Sequence, residues 1–315
     1  IGGAGTFSNN TSSPLVLAVE DSVLDLTGNG IISGPVRLEG CTLKASGSPT
    51  ISGDITQYDN ATIEVSSGQT LTYSGASLNL GANKLTVTGG GTFNNSNALV
   101  LNNADSLLSL EGIGTIGGVQ ATVNATSGKG IQVVESATLG SFDLTATSFL
   151  EIAANKTING PITLNNNADL QISGSGEYLG DMELAGGKFR VDSNRDLTGT
   201  VSVTASSEII VPASYSLVLN QTGALPLGGS TLSLSGAGKL KFENAINVTD
   251  GELEVSSGTL DFVSGGSVAG LTLESATLVL SDDLTVGDNL TTSGTDPTLQ
   301  LNGTLDLTGT GVQMQ

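Results

Sequence analysis

Residues 236–256, GAGKLKFENAINVTDGELEVS, carry the pattern from which the fold is read. After a glycine opening they give three short apolar alternations, Leu240/Phe242, Ile246/Val248 and Leu253/Val255, separated by small or polar turn residues. A period of two places both members of each pair on one face of a strand. Three such strands with every pair facing inward make one triangular coil.

The same unit recurs along the chain. Residues 47–66 give Ile51, then Ile55, then Ile63/Val65, and residues 154–173 give Ile158, Ile162/Leu164 and Leu170/Ile172. Residues 193–212 give Leu197, Val201/Val203 and Ile209/Val211, and residues 282–302 give Leu284/Val286, Leu290 and Leu299/Leu301. The period is about 19–22 residues with no shared motif beyond the pattern, which marks a solenoid held by geometry. Three strands of about four residues with turns between them need about 20 residues. The expected fold is therefore all-β, a right-handed parallel β-helix with three short strands per coil and about 20–22 residues per coil. Some 14 coils stacked at about 4.8 Å give a rod on the order of 65–70 Å. No linker, charge run or break in composition marks a second domain, so residues 1–315 read as a single β-solenoid domain.

The less regular stretches are predicted as follows. Gly2–Phe7 reads as a rung opening, with strands at 15–17 and 23–26. Residues 111–153 hold about two coils with a longer turn near 126–130. Residues 213–235 and 257–281 carry extra loop residues. Two corners repeat almost literally: ALVLNNADSLLSL at 98–110 and PITLNNNADLQIS at 161–173. Asn suits a tight corner because it tolerates the left-handed conformation and hydrogen-bonds its own backbone. Asn at the same corner of neighbouring coils can also form a side-chain ladder.

Composition excludes several function classes. The 44 glycines among 315 residues are about twice the ordinary share, and helix-period apolar stretches are absent. The net charge of −20, with 10 Lys and Arg against 30 Asp and Glu, opposes nucleic acid and anionic membrane as partners. That charge favours solubility and suppresses side-to-side strand pairing. One cysteine, Cys41, excludes an intramolecular disulfide and reads as a small core residue. No apolar run is long enough to span a bilayer as a helix. No signal peptide is visible before the Gly-rich opening, so the chain reads as a mature or excised form. The acidic, Cys-poor, Thr/Ser/Asn/Gly-rich composition points to an exported microbial protein at the cell surface or outside the cell.

No catalytic residue, cofactor site or metal site emerges. Without histidine there is no Ser-His-Asp or Cys-His arrangement, and one cysteine gives no zinc site. Calcium-binding nonapeptides and EF-hand loops do not occur. Asp282, Asp283 and Asp288 come nearest to an acidic cluster, on the turns of one coil. Asp181/Glu183 and Glu252/Glu254 have the same-face spacing that glycoside hydrolysis requires, but 30 acidic residues produce such pairs by accident. The Thr-x-Thr pairs at 70/72, 86/88, 145/147, 198/200 and 308/310 fall at different phases of the repeat, so no flat Thr-x-Thr ladder is expected. Acceptor triplets for N-glycosylation occur at Asn10, Asn60, Asn124, Asn155, Asn220, Asn247, Asn289 and Asn302, among others, with Asn60 and Asn124 on turns.

Gly-Thr-hydrophobic openings such as Gly258-Thr-Leu-Asp-Phe262 and Gly303-Thr-Leu-Asp-Leu307, with Asn-rich corners, resemble autotransporter passengers and filamentous-haemagglutinin-type adhesins. The resemblance covers nearly the whole chain. The translocating barrel of autotransporters has no counterpart in it. Gly2-Gly3-Ala4 with Phe7-Ser-Asn-Asn10 resembles chlamydial polymorphic outer-membrane repeats but occurs once, where that family repeats it many times. These families imply surface display, adhesion or matrix building without catalysis in the solenoid. The expected function is a non-catalytic extracellular rod of a surface fibre or matrix. Neither end resembles a cap, so the expectation is either a segment of a longer rod or self-association head to tail through terminal coils, the second being favoured. An adhesin stalk binding a surface receptor or glycan, with its patch on the turn at 126–130, is the alternative. A glycan-active enzyme is the third reading.

Overall fold

The computed structural model of the protein describes residues 1–10, 13–308 and 311–314, the last four as backbone. Among these residues there is no helix, and the strands pair in parallel as a β-solenoid of about 14 coils with three sheets per coil. The chain divides into two compact units, Ile1–Pro161 and Ile162–Gln315.

In the first unit the early coils give one strand to each of three faces, and the longer strands Thr115–Ala121 and Ala137–Leu144 each run along the first face and on into the second. The opening coil supplies Thr6–Phe7, Leu15–Leu17 and Val23–Leu26. On the first face Thr6–Phe7 is followed by Ile31–Ile32, Thr50–Ile51, Thr70–Tyr73 and Thr92–Asn95. The third face stacks Val23–Leu26, Thr42–Ala45, Ala61–Val65, Lys84–Thr88, Leu107–Glu111, Gly130–Val133 and Thr147–Ile152. Ile51, Ile55, Ile63 and Val65 all point inward and are buried, as the alternation predicts.

In the second unit the deciding stretch behaves as read. Leu240 and Phe242 lie on strand Lys239–Phe242, and the other two pairs share the long strand Ile246–Val255. All six side chains are buried. Gly223–Ser235, Ile246–Val255, Gly266–Glu274 and Leu284–Ser293 each run along the second face and turn onto the third without ending. Register shifts between Pro226 and Ser230, Val248 and Glu252, and Val268 and Gly270 mark that corner.

Coil length varies more than the sequence period predicts. Glu254 stacks on Thr272, which makes a short coil, whereas Ile210 stacks on Ser235, which makes a long one. The third-face ladder Thr62, Thr86, Ser109, Gln132 also runs through coils longer than expected. The surplus leaves the core intact because it sits at corners. There Ser66 bridges Gly90 and Thr88 bridges Gly112 in antiparallel fashion outside the main ladders.

The core is Leu, Ile, Val and a few aromatic rings, each buried side chain worth about 1.5–3 kcal/mol relative to exposure. Glycine has a second use here besides turns. A Cβ on Gly53 would stand 1.9 Å from the carbonyl oxygen of Gly34, and one on Gly75 would stand 2.6 Å from that of Gly53. Gly34, Gly53 and Gly75 thus let one corner of three coils stack backbone on backbone.

At several corners among the described residues a side-chain-to-backbone bond links neighbouring coils. A side-chain oxygen of one coil accepts the backbone N–H that opens a strand of the next. Asn60 Oδ1 takes Lys84 N–H at 2.7 Å, Asn124 takes Thr147 at 2.9 Å, and Asn194 takes Ser216 at 2.8 Å. Ser136 does the same for Thr157, and Asp54 and Asp181 take the N–H of Ala76 and Thr200, which precede strands of the next coil. Side chains do not need to stack on one another when the neighbouring coil offers an unsatisfied donor at the same height.

Candidate functional site

The outer surface is built from the residues that alternate with the core. On the third face Asp25, Lys44, Glu64 and Thr88 form one outward column, and Thr42, Thr62 and Thr86 the column beside it. Lys44 bonds Glu64 at 2.7 Å across one coil step. Lys84 reaches Glu111 at 3.0 Å, Lys188 reaches Glu208 at 2.7 Å, and Arg190 reaches Asp169 at 3.3 Å. Eight of the ten cationic side chains are in such pairs among the described residues. A ninth, Arg195, is buried and donates to the carbonyls of Gly176 and Gly174 at 2.8 and 2.9 Å, and burial pulls its pKa down. Residues 244–308 hold ten Asp and Glu and no Lys or Arg. The surface therefore presents anionic and hydroxyl groups, and most of its cations are engaged within the solenoid.

The carboxylates singled out from sequence are engaged structurally. Asp181 hooks Thr200, and its own carbonyl accepts the buried Tyr178 hydroxyl. Glu183 accepts the Thr204 hydroxyl at 3.0 Å. Glu252 and Glu254 do share the outer side of the third face, where they accept the hydroxyls of Thr272 and Ser233. Asp282 accepts the N–H of Asp283, and Asp283 takes that of Thr304 at 2.7 Å, which holds its carboxyl below the usual range. Among the described residues no three Asp, Glu, His or Cys converge to hold a metal ion. Among them, too, no helix is long and apolar enough to cross a membrane. Cys41 is free and buried, and burial pushes its thiol pKa up.

The turn at 126–130 is tied to the neighbouring coil, since Thr126 bonds Ala104 through both its N–H and its hydroxyl. The Thr-x-Thr pairs do not form a double ladder: Thr70 and Thr72 lie on the first face, Thr86 and Thr88 on the third, and Thr310 lies outside the described residues. Single threonines do align, with Thr70, Thr92, Thr115 and Thr138 in one outward column of the first face. Unequal spacing along the chain, and the single rather than paired threonines, obscure this column in the sequence.

Two features offer surface to a partner. The first is the outer edge of each unit. Phe7 is 39% exposed although its register partner Ile32 is 2% exposed, and Leu301 and Leu307 are 47% and 36% exposed. The second is a groove of about 540 Å³ on the third face of the first unit. Its floor is the Thr42, Thr62, Thr86 column, and Glu20, Asp21, Glu39 and Asp59 stand along it with Lys84. Comparison with protein-family models, with curated proteins and with solved structures finds no match for this chain.

Proposed function

We propose that the chain is a non-catalytic structural protein of an extracellular fibre or matrix, assembling end to end by continuing its stack of coils. The observation that carries this reading is the correspondence of the two outer edges. One presents Phe7 and the alternation Leu15-Val16-Leu17, and the other presents Leu299-Gln300-Leu301 and Leu305-Asp306-Leu307. Stacked in parallel, Leu15 and Leu17 would meet Leu305 and Leu307 as neighbouring coils meet elsewhere, with unpaired strand edges joined on both sides. The resemblance to autotransporter passengers and filamentous adhesins favours surface display in the same direction. The anionic surface keeps such assemblies apart laterally at low salt.

Electron microscopy of the protein over a range of concentrations tests this. Filaments with an axial repeat of about 4.8 Å that disappear in Leu301→Asp and Leu307→Asp variants are expected. Separate particles at every concentration would refute end-to-end assembly.

A further inference from the structure

We propose that the groove on the third face of the first unit binds a neutral, linear oligosaccharide. The inference does not depend on end-to-end assembly. The first inward column of that face holds Cys41 and Ala61, then Leu85, Leu108, Ile131 and Leu150 in the following coils. Cys41 and Ala61 are small and themselves line the groove, together with the corner residues Gly40 and Asn60, so it lies where the chain turns onto the third face. Its volume of about 540 Å³ lies within the ordinary range of small-molecule sites.

The lining selects the ligand. Thr42, Thr62 and Thr86 present a hydroxyl at each coil step, about 4.8 Å apart along the stack. Glu20, Asp21 and Asp59 are exposed and in no ion pair among the described residues, so their oxygens accept hydrogen bonds. Glu39 is held by Arg37, whose guanidinium lies 3.9 Å from the ring centre of Tyr58, and Lys84 is held by Glu111. Tyr58, next to Asp59, does not line the groove, and its ring is covered by the Arg37 guanidinium. A row of hydroxyls flanked by carboxylate acceptors fits a chain bearing hydroxyls at regular intervals. Anionic ligands are opposed by the three carboxylates outside ion pairs, and these residues do not converge as metal ligands do.

Titration of the full chain with cellotriose, maltotriose and laminaritriose, followed by NMR, tests the proposal. Saturable binding of at least one at millimolar concentration is expected, with shifts centred on Thr42, Thr62 and Thr86. Thr62→Arg, on an outward position, should weaken it about tenfold or more, and Asp59→Asn should weaken it by a smaller factor. Thr138→Arg, on another face of the same unit, should leave it unchanged. A melting curve for each variant separates loss of binding from loss of fold, and Asp59→Asn serves if Thr62→Arg does not fold. Absence of binding by all three sugars, binding that survives these substitutions, or binding of spermidine in place of every sugar would overturn the assignment.

Discussion

Phe262 lies on Phe242, one coil away, with ring centroids 5.1 Å apart and planes 25° from parallel. The two occupy one inward column of the first face, between Leu219 and Leu280. An offset stack of this kind adds about 0.5–1.5 kcal/mol to the area that each ring buries. Because a coil contacts only the coils beside it, a void at Phe262 has few neighbours able to close over it.

Phe262→Ala should therefore cost about 3–5 kcal/mol, and Phe262→Leu less than half of that. Urea unfolding followed by circular dichroism measures both. Equal losses for the two variants would show that ring stacking, and not filled volume, sets the stability of this column.

The coil was legible because the apolar alternation is its only requirement. Leu240/Phe242, Ile246/Val248 and Leu253/Val255 fall inward as a period of two demands, and so do Ile51, Ile63 and Val65. What lay between the strands was less legible. The length of a corner is free as long as the next strand returns to register, so the short coil from Glu254 to Thr272 coexists with the long one from Ile210 to Ser235. The groove was not visible in the sequence for a related reason. Its lining joins residues from the corner segments at 18–21, 39–42 and 59–62 with Lys84 and Thr86, which come together only once register is known. The partly exposed Leu305 and the exposed Leu307 carry the same pattern as buried leucines and differ only in having no coil stacked beyond them among the described residues.

The corner hooks make a prediction that separates chemistry from side-chain identity. Asn194 Oδ1 satisfies the N–H of Ser216, which opens the next strand of the first face. Asn194→Ala removes the acceptor and should cost about 0.5–2 kcal/mol, whereas Asn194→Asp keeps it and should cost much less. Thermal melts of the two variants against the parent give the answer. An Asp variant as unstable as the Ala variant would mean that the asparagine is needed for something other than its carbonyl oxygen.

Gly53 tests the backbone contact between coils. It is buried, and an added Cβ would fall 1.9 Å from Gly34 O and 2.2 Å from Gly34 C, both backbone atoms without a rotamer to escape through. Gly53→Ala should destabilise the first unit by about 1–3 kcal/mol through forced separation of the coils. Gly68→Ala makes a control for space alone, since nothing lies within 4 Å of its Cβ position, although its φ of +74° adds strain of its own. Hydrogen exchange should then show faster opening around Gly34 and Gly53 only in the first variant. Unchanged protection there would mean that the coils can part by the needed distance at little cost.

Glu111 supplies a pH-dependent contact with a defined sign. Its carboxylate accepts the Ser109 hydroxyl at 2.7 Å and the Lys84 ammonium at 3.0 Å, and these two bonds hold its pKa below the ordinary value. The folded value is thus lower than the unfolded one, near 4.3. The stabilisation is present above the unfolded pKa and disappears as pH falls through the folded one. The chain as a whole carries a charge of −20, so acid also relieves repulsion elsewhere, and the total stability curve mixes the two effects. The difference between parent and Glu111→Gln isolates the contact. Glu111→Gln should lower the melting temperature at pH ~7, by an amount equivalent to up to about 1 kcal/mol at low salt, because the pair is partly exposed. The gap should narrow as the pH falls below the unfolded value toward pH ~3, as the parent carboxyl takes up its proton. A gap of the same size at both pH values would place the effect of the substitution in packing and not in the charge on Glu111.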